Sequence, residues 1–253
     1  MTIDMFSENG GRPFFEQFKE EMPTNRALCE RVAEEVLKDL DELSIKGKFS
    51  SLVDEIQDAI YREYLTSQAT VGQKVIDASI EETGGVDFDE LDKFFLSISQ
   101  SRKSRAGTAF EYIIQELFRR LSYPADTQVV IEGAKPDFVM PSEEYFRSKP
   151  LDSLIFTVKR TLRERWRQVV TEANKGYGYF LATIDEKISA NQIQQASENK
   201  IFIVTTERNI AGNDAYKDAY SVISFEEFFE RHLDPAMRRW DLLPQKSSDS
   251  REC

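Results

Sequence analysis

Apolar residues recur at spacings of three and four along the first hundred positions. Over 25–43 the stripe is Leu28, Val32, Val36, Leu37, Leu40 and Leu43; over 52–65 it is Leu52, Val53, Ile56, Ile60 and Tyr61. A helix gathers such positions on one face, so both segments are predicted helical. A third helix is predicted over 88–98, after the break at Gly84-Gly85 and with Asp87 as its N-cap. Residues 99–107, SQSRKSRAG, are polar, basic and rich in small side chains, and read as a linker or hinge. Beyond them short apolar runs alternate with amphipathic segments. Helices are predicted over 108–121, 162–175 (ended by Gly176), 190–198 and 225–232, with a short helical piece after Pro141-Ser142. Strands are predicted over 127–131, 137–140, 154–159, 179–184, 201–205 and 220–224, with a turn at Glu132-Gly133. Strands separated by helices predict an α/β chain with a central mixed sheet covered on both faces. The expected organisation is a helical region over 1–100, an α/β domain over 101–243 and a disordered tail over 244–253.

Composition narrows the function classes. The chain has 253 residues, 40% of them hydrophobic, enough for a substantial core. No apolar run approaches the ~20 residues that span a bilayer, and the opening MTIDMFSENGG lacks the basic-then-apolar profile of a signal peptide. Cys29 and Cys253 lie at opposite ends, which argues against a disulfide framework and for a reducing cytoplasm, with no membrane partner. The single histidine, His232, sits late in an amphipathic segment and is expected to be structural. One histidine and two distant cysteines exclude a His/Cys zinc site and a histidine-centred triad. No Gly-x4-Gly-Lys phosphate loop occurs. Catalysis would therefore rest on carboxylates, lysine and a hard cation.

A formal net charge of −12 argues against general affinity for nucleic acid but leaves room for a local basic cleft. That room is used at 157–175, TVKRTLRERWRQVVTEANK, where five of nine residues from Lys159 to Arg167 are basic. Strand alternation puts Thr157 and Lys159 on one face, opposite Phe156 and Val158. On the helix that follows, Leu162, Trp166, Val169, Val170 and Ala173 form the apolar stripe, and Glu172 lies off it. Glu164 between Arg163 and Arg165 suits G·C pairs, because arginine donates in a fork to guanine O6 and N7 while a carboxylate accepts from cytosine N4. Pro136-Asp137 opens an earlier strand, twenty-two residues before Lys159.

Pro-Asp followed by a strand ending in (Asp/Glu)-x-Lys is the signature of the PD-(D/E)XK nucleases. Here Thr157 stands where the second acid is expected, and Glu172 follows Lys159 by thirteen residues. With EGAKPDFVMP, VKRTLRERWRQVVTEANK and, upstream, GTAFEYIIQELF, the chain resembles the catalytic domain of EcoRII and its relatives over roughly residues 105–210. These are type II restriction endonucleases that recognise CCGG, CCNGG or CCWGG cores, and in that branch the second acid has moved to the helix. The resemblance implies a PD-(D/E)XK core of mixed sheet flanked by helices, with the N-terminal helical region added. It implies catalysis by Asp137, Lys159 and Glu172 with Glu111, Mg²⁺ held by Asp137 and Glu172, and base reading by Arg163, Glu164 and Arg165. Arg160 and Arg167, with Arg102, Lys103 and Arg105 of the basic linker, are expected along the DNA backbone. The implied reaction is hydrolysis of both strands of double-stranded DNA at a short palindrome with a CC/GG core, leaving 5′-phosphates. It implies a homodimer, or a higher oligomer built from one. Two other readings stay open: a repair nuclease or junction resolvase of the same superfamily, and a non-catalytic DNA-binding protein on a nuclease-like fold.

Overall fold

The structure, a computed structural model, describes residues 18, 20–131, 133–162, 166–173 and 178–241, and the backbone alone at 103, 104, 167, 168, 171 and 172. The tail expected to be disordered lies outside the described residues.

Four helices come first: α1 (Asn25–Leu37), α2 (Glu42–Gly47), α3 (Phe49–Thr83) and α4 (Phe88–Arg120). The helix predicted over 25–43 divides because the Asp41 carboxylate accepts from Ser44 N–H at 2.7 Å and starts a new helix. The helix predicted over 52–65 is α3, far longer than its apolar stripe, and it ends at Gly84, whose φ of 76° a side-chain-bearing residue adopts at a cost. Asp87 then caps α4 by accepting from the N–H groups of Asp89 and Glu90. The two long helices form a hairpin that closes tightly at Gly72, where a Cβ would stand 3.0 Å from the Phe95 ring.

The linker read over 99–107 is not there. α4 runs unbroken through it for 33 residues. Buried Phe94 and Ile98 lead, four residues at a time, to Arg102, and Arg105 leads on to buried Ala109 and Ile113. Arginine thus occupies the stripe. Arg102 donates to Gln68 Oε1 at 2.7 Å and Arg105 to the Pro23 carbonyl at 2.7 Å, and both guanidinium groups lie over the Tyr64 ring.

A six-stranded sheet follows in the order β1 (Asp126–Thr127), β2 (Phe138–Met140), β3 (Leu154–Val158), β4 (Gly178–Ala182), β5 (Ile201–Thr205) and β6 (Val222–Ser224). The pairs β1/β2 and β2/β3 are antiparallel, and β3 to β6 are parallel. The strand predicted over 127–131 is short, and its far end forms only the bridge of Ile131 with Ala134. The parallel strands are joined through α6 (Trp166–Ala173), then α7 (Ala190–Glu198), then α8 (Glu207–Gly212) with α9 (Asp214–Lys217). Between β2 and β3 lies α5 (Glu143–Ser148), capped by Ser142. After β6 come α10 (Phe225–Phe228), a π-helical turn (Phe229–Leu233) and α11 (Asp234–Arg239).

Each face of the sheet has its own core. Phe138, Phe156, Val158 and Phe180 pack with α1, α3, α4 and the C-terminal helices. Val139, Ile155, Leu181 and Ile203 pack with α6, α7 and α9. Every residue of β2 and β3 is buried, which is why these strands read as continuous apolar runs. His232 sits against the rings of Phe180 and Phe202, with centroids 4.9 and 4.6 Å away, in the packing role expected of it. No helix among the described residues is long and apolar enough to cross a membrane.

Candidate active site

Register builds the site. β2 pairs with β3 as Phe138 with Phe156 and Val139 with Ile155. One step beyond Phe138 and Phe156, the same antiparallel register sets Asp137 opposite Thr157. Period-two alternation keeps Asp137, Thr157 and Lys159 on the face of Val139 and Ile155. Lys159 directly follows β3, and its N–H extends the ladder to the Ala182 carbonyl at 2.9 Å.

Three donors converge on one oxygen. Asp137 Oδ2 accepts from Thr157 Oγ1 at 2.7 Å, from Val158 N–H at 2.6 Å and from Lys159 Nζ at 2.8 Å. The ion pair is largely enclosed, with side-chain exposures of 15% for Lys159 and 14% for Asp137. No hydrogen bond among the described residues engages Asp137 Oδ1. Glu111, from the half of α4 that packs on β3, completes the group. Burial raises its carboxyl pKa, the Asp137 charge adds to the rise and the Lys159 charge opposes it. Two acids and a lysine, drawn from the start of β2, the end of β3 and a helix, thus share one partly buried volume at the ends of two inner strands.

Thr157 is the residue that motif reasoning undervalued. Lacking the carboxylate of the nuclease signature, it reads as a loss; in the fold its hydroxyl orients Asp137. The signal available in the sequence was its alternation onto the Lys159 face. Among the described residues no three His, Cys, Asp or Glu side chains are grouped as metal ligands. Glu172 contributes its backbone to α6, and its side chain lies outside the described residues, as do those of Arg167 and Lys103. Arg163, Glu164 and Arg165 lie outside them altogether. Arg160 is exposed next to Lys159, whereas Arg102 and Arg105 are engaged among the N-terminal helices.

Against known protein families, residues 68–229 match the family described as EcoRII C terminal. The chain belongs to the EcoRII C-terminal family. The match takes in the whole candidate site and starts within α3, so it reaches well upstream of the 105–210 suggested by the motifs. Among curated relatives, the type II restriction enzyme SsoII of Shigella sonnei is 32% identical over 168 residues, covering 62% of this chain and 54% of that protein. EcoRII of Escherichia coli is 36% identical over 126 residues, covering 46% of this chain and 31% of that protein. The chain thus spans about half or less of the length of these relatives. A solved structure of metal-depleted Ecl18kI in complex with uncleaved DNA superposes with a TM-score of 0.76 at 24% identity, over 92% of this chain and 86% of that one. The chain accordingly has the PD-(D/E)XK restriction-endonuclease fold.

Proposed function

We propose that the protein is a type II restriction endonuclease that hydrolyses phosphodiester bonds in both strands of double-stranded DNA at a short palindrome with a CC/GG core, leaving 5′-phosphates. The observation that carries this reading is the convergence of Asp137, Thr157 and Lys159 beside Glu111, in a chain of the EcoRII C-terminal family. The names of SsoII and EcoRII, and the DNA bound to Ecl18kI, support the reading by kinship.

The donor set fits a hard divalent cation. Carboxylate oxygens are its preferred ligands, and Asp137 keeps Oδ1 clear of hydrogen bonds from the described residues while Oδ2 is held by three donors. Asp137 and Glu172, with Glu111 alongside, would hold Mg²⁺. When bound, the ion supplies positive charge at the scissile phosphate and acidifies water near it. The chain's own groups do the rest. Lys159 holds a second positive charge where negative charge develops on the phosphoryl oxygens. Thr157 and the Val158 N–H fix the Asp137 carboxylate in one orientation, so it need not reorganise as the reaction proceeds.

Base reading is assigned to Arg163, Glu164 and Arg165, four to six residues past Lys159. So short a tether couples recognition to the cutting residue. Arg160 and Arg167 would lie along phosphates, while Arg102 and Arg105 would have to give up internal bonds to do so. One copy reads one half-site, so cutting both strands of a palindrome calls for two copies about a two-fold axis.

Digestion of a sequenced plasmid with Mg²⁺, followed by run-off sequencing of the ends, tests the proposal. One recurring site with a CC/GG core and ligatable 5′-phosphate ends is expected, and Lys159→Ala should leave the plasmid intact. Cutting without sequence preference would turn the reading to a shape-directed repair nuclease or resolvase. Specific binding with no cleavage would turn it to a non-catalytic DNA-binding protein.

A further inference from the structure

α4 carries a glycine where a helix gains nothing from one. Gly107 lies in the interior of that 33-residue helix, without the positive φ seen at Gly84 and Gly133. Inside a helix, glycine weakens folding relative to alanine by roughly two- to fivefold in the equilibrium constant. Gly72, inside the other long helix, is explained by its neighbour, because a Cβ there would stand 3.0 Å from the Phe95 ring. At Gly107 a Cβ would meet no described atom within 4 Å. Gly47 and Gly212 also have that freedom, but each is the last residue of its helix, where the interior penalty does not apply.

Bending is not the reason for this glycine either. α4 is continuous, and the residues that follow Gly107 on its inner face, Ala109, Phe110, Ile113 and Ile114, are buried. Two residues earlier, the Arg105 carbonyl accepts from Asn25 Nδ2 at 3.0 Å, which ties this turn to the start of α1. Gly107 lies on the side of the helix that carries Glu111. Positions four apart stack on one side of a helix, and each side chain leans back over the turn before it. Glu111 therefore lies over the turn of Gly107, about 6 Å away along the axis, and feels the charges of Asp137 and Lys159. The missing side chain leaves a half-buried notch next to that acid.

We propose that the notch at Gly107 takes the sugar–phosphate backbone of the strand being cut, beside the phosphate engaged by Asp137 and Lys159. This deepens the proposed function and rests on its assignment of phosphodiester hydrolysis to that group. Glycine is the residue that lets a ligand approach a protein backbone closely. A stability cost with no return inside the free protein is what such a contact leaves in the sequence. Successive phosphates of one strand advance only about 3.4 Å along a duplex axis, so a strand held at Asp137 and Lys159 has its next nucleotides within one helical turn of Glu111. The contact is one of shape and carries no base readout. A side chain at 107 would hold the strand off, and the scissile bond with it. A displacement of about 1 Å in such a site costs on the order of a hundredfold in rate.

The test uses the full chain with Gly107→Ala and Gly107→Leu, both substitutions by good helix formers. The probe is a duplex carrying the site found by plasmid digestion. Affinity is measured by fluorescence anisotropy in EDTA, single-turnover cleavage with Mg²⁺, and the thermal midpoint without DNA. Gly107→Ala should melt about 2–4 °C higher than the parent. It should bind the duplex roughly tenfold more weakly or worse and cleave it on the order of a hundredfold more slowly. Gly107→Leu should keep or raise the midpoint and lose more of both. A raised midpoint with affinity and cleavage at parent levels overturns the proposal. So does a lowered midpoint or a failure to fold, because a neighbour inside the protein then accounts for the glycine. Slower cleavage with unchanged affinity in EDTA would put the hydrated ion rather than the strand in the notch, and overturns it as well. If the parent leaves the plasmid uncut, the proposed function fails and the notch with it. If the parent cuts and the variants bind and cut alike, only the notch fails.

Discussion

Thr157 stands where a second acid would place its negative charge against the same Asp137 oxygen that now takes Thr157 Oγ1 at 2.7 Å. Two carboxylates in contact in an enclosed site cannot both stay ionised without a cation between them. The hydroxyl removes that conflict and supplies a donor. Thr157→Val keeps the β-branched shape of the strand and deletes the donor. A hydrogen bond to a charged group is worth about 1.5–3 kcal/mol, so single-turnover cleavage should drop by roughly tenfold or more with little change in circular dichroism. Lys159→Ala should abolish cleavage and also lower stability, because it leaves Asp137 enclosed without its counter-charge. Glu111→Gln should separate activity from stability. The folded-state pKa of Glu111 is raised, so its ionised form opposes folding above the unfolded carboxyl's pKa, and this opposition fades as the pH falls through the carboxylate range. In buffer containing EDTA at pH 7, Glu111→Gln should therefore melt higher than the parent, the gap narrowing in acid, while its cleavage activity falls. A lower melting temperature for the variant would mean that the carboxylate is better solvated than its place beside Asp137 implies.

At the scale of elements, the continuity of α4 is the feature that most changes the picture. A basic, serine-rich stretch is easily taken for a hinge, yet here it is the middle of a helix whose stripe is filled by Arg102 and Arg105 on Tyr64. Gln100→Pro discriminates between the two. In a hinge it would be tolerated; inside this helix it removes a hydrogen bond and clashes with the preceding turn, at about 3 kcal/mol or more. Urea unfolding should show that loss. The π-helical turn offers a second check, since it carries the chain's only histidine among aromatic rings. Burial lowers the His232 pKa, with Arg231 adding to the effect. Above pH ~6.5 neither state binds the proton. Below it the unfolded chain takes the proton first, so this part of the stability is lost as the pH falls through the lowered folded value. Between pH 7 and 5 the thermal midpoint of the parent should fall more steeply than that of His232→Gln, as followed by calorimetry.

At the scale of the molecule, the N-terminal helices and one face of the sheet share a single apolar cluster, from Leu28 and Phe49 to Phe156 and Phe180. Removing residues 1–98 would expose that face of the sheet to water along with the stripe of α4. The shortened chain should fail to fold, giving no cooperative melting transition and rapid aggregation. Recovery of a compact, soluble fragment would show that the helices are a detachable module. The match to the EcoRII C-terminal family begins at residue 68, within α3, which is consistent with that half of the helical hairpin belonging to the same folding unit as the sheet.

Periodicity along the chain was enough to place many of the helices, though not the helical stretch over 99–107 nor α8 and α9, to place β3 to β6 within a few residues, and to mark Asp87 as a cap. These are local properties: a side chain's face follows from its position in a repeat, and a cap from its nearest backbone. Spacing and residue type also singled out Asp137 and Lys159. Only the tertiary structure decided that Thr157 completes their site, because that contact depends on antiparallel register between strands whose residues are 20 apart in sequence. It likewise decided that Arg102 belongs to a helix interior, since its partners Gln68 and Tyr64 come from another helix. The hydrogen bonds of Asp185 to Leu162 N–H and of Gln195 to the Trp166 indole arise in the same way. A polar residue in a loop or on a helix looks the same in sequence whether it faces water or a backbone N–H 23 residues away, and only the parallel crossover brings that N–H within reach.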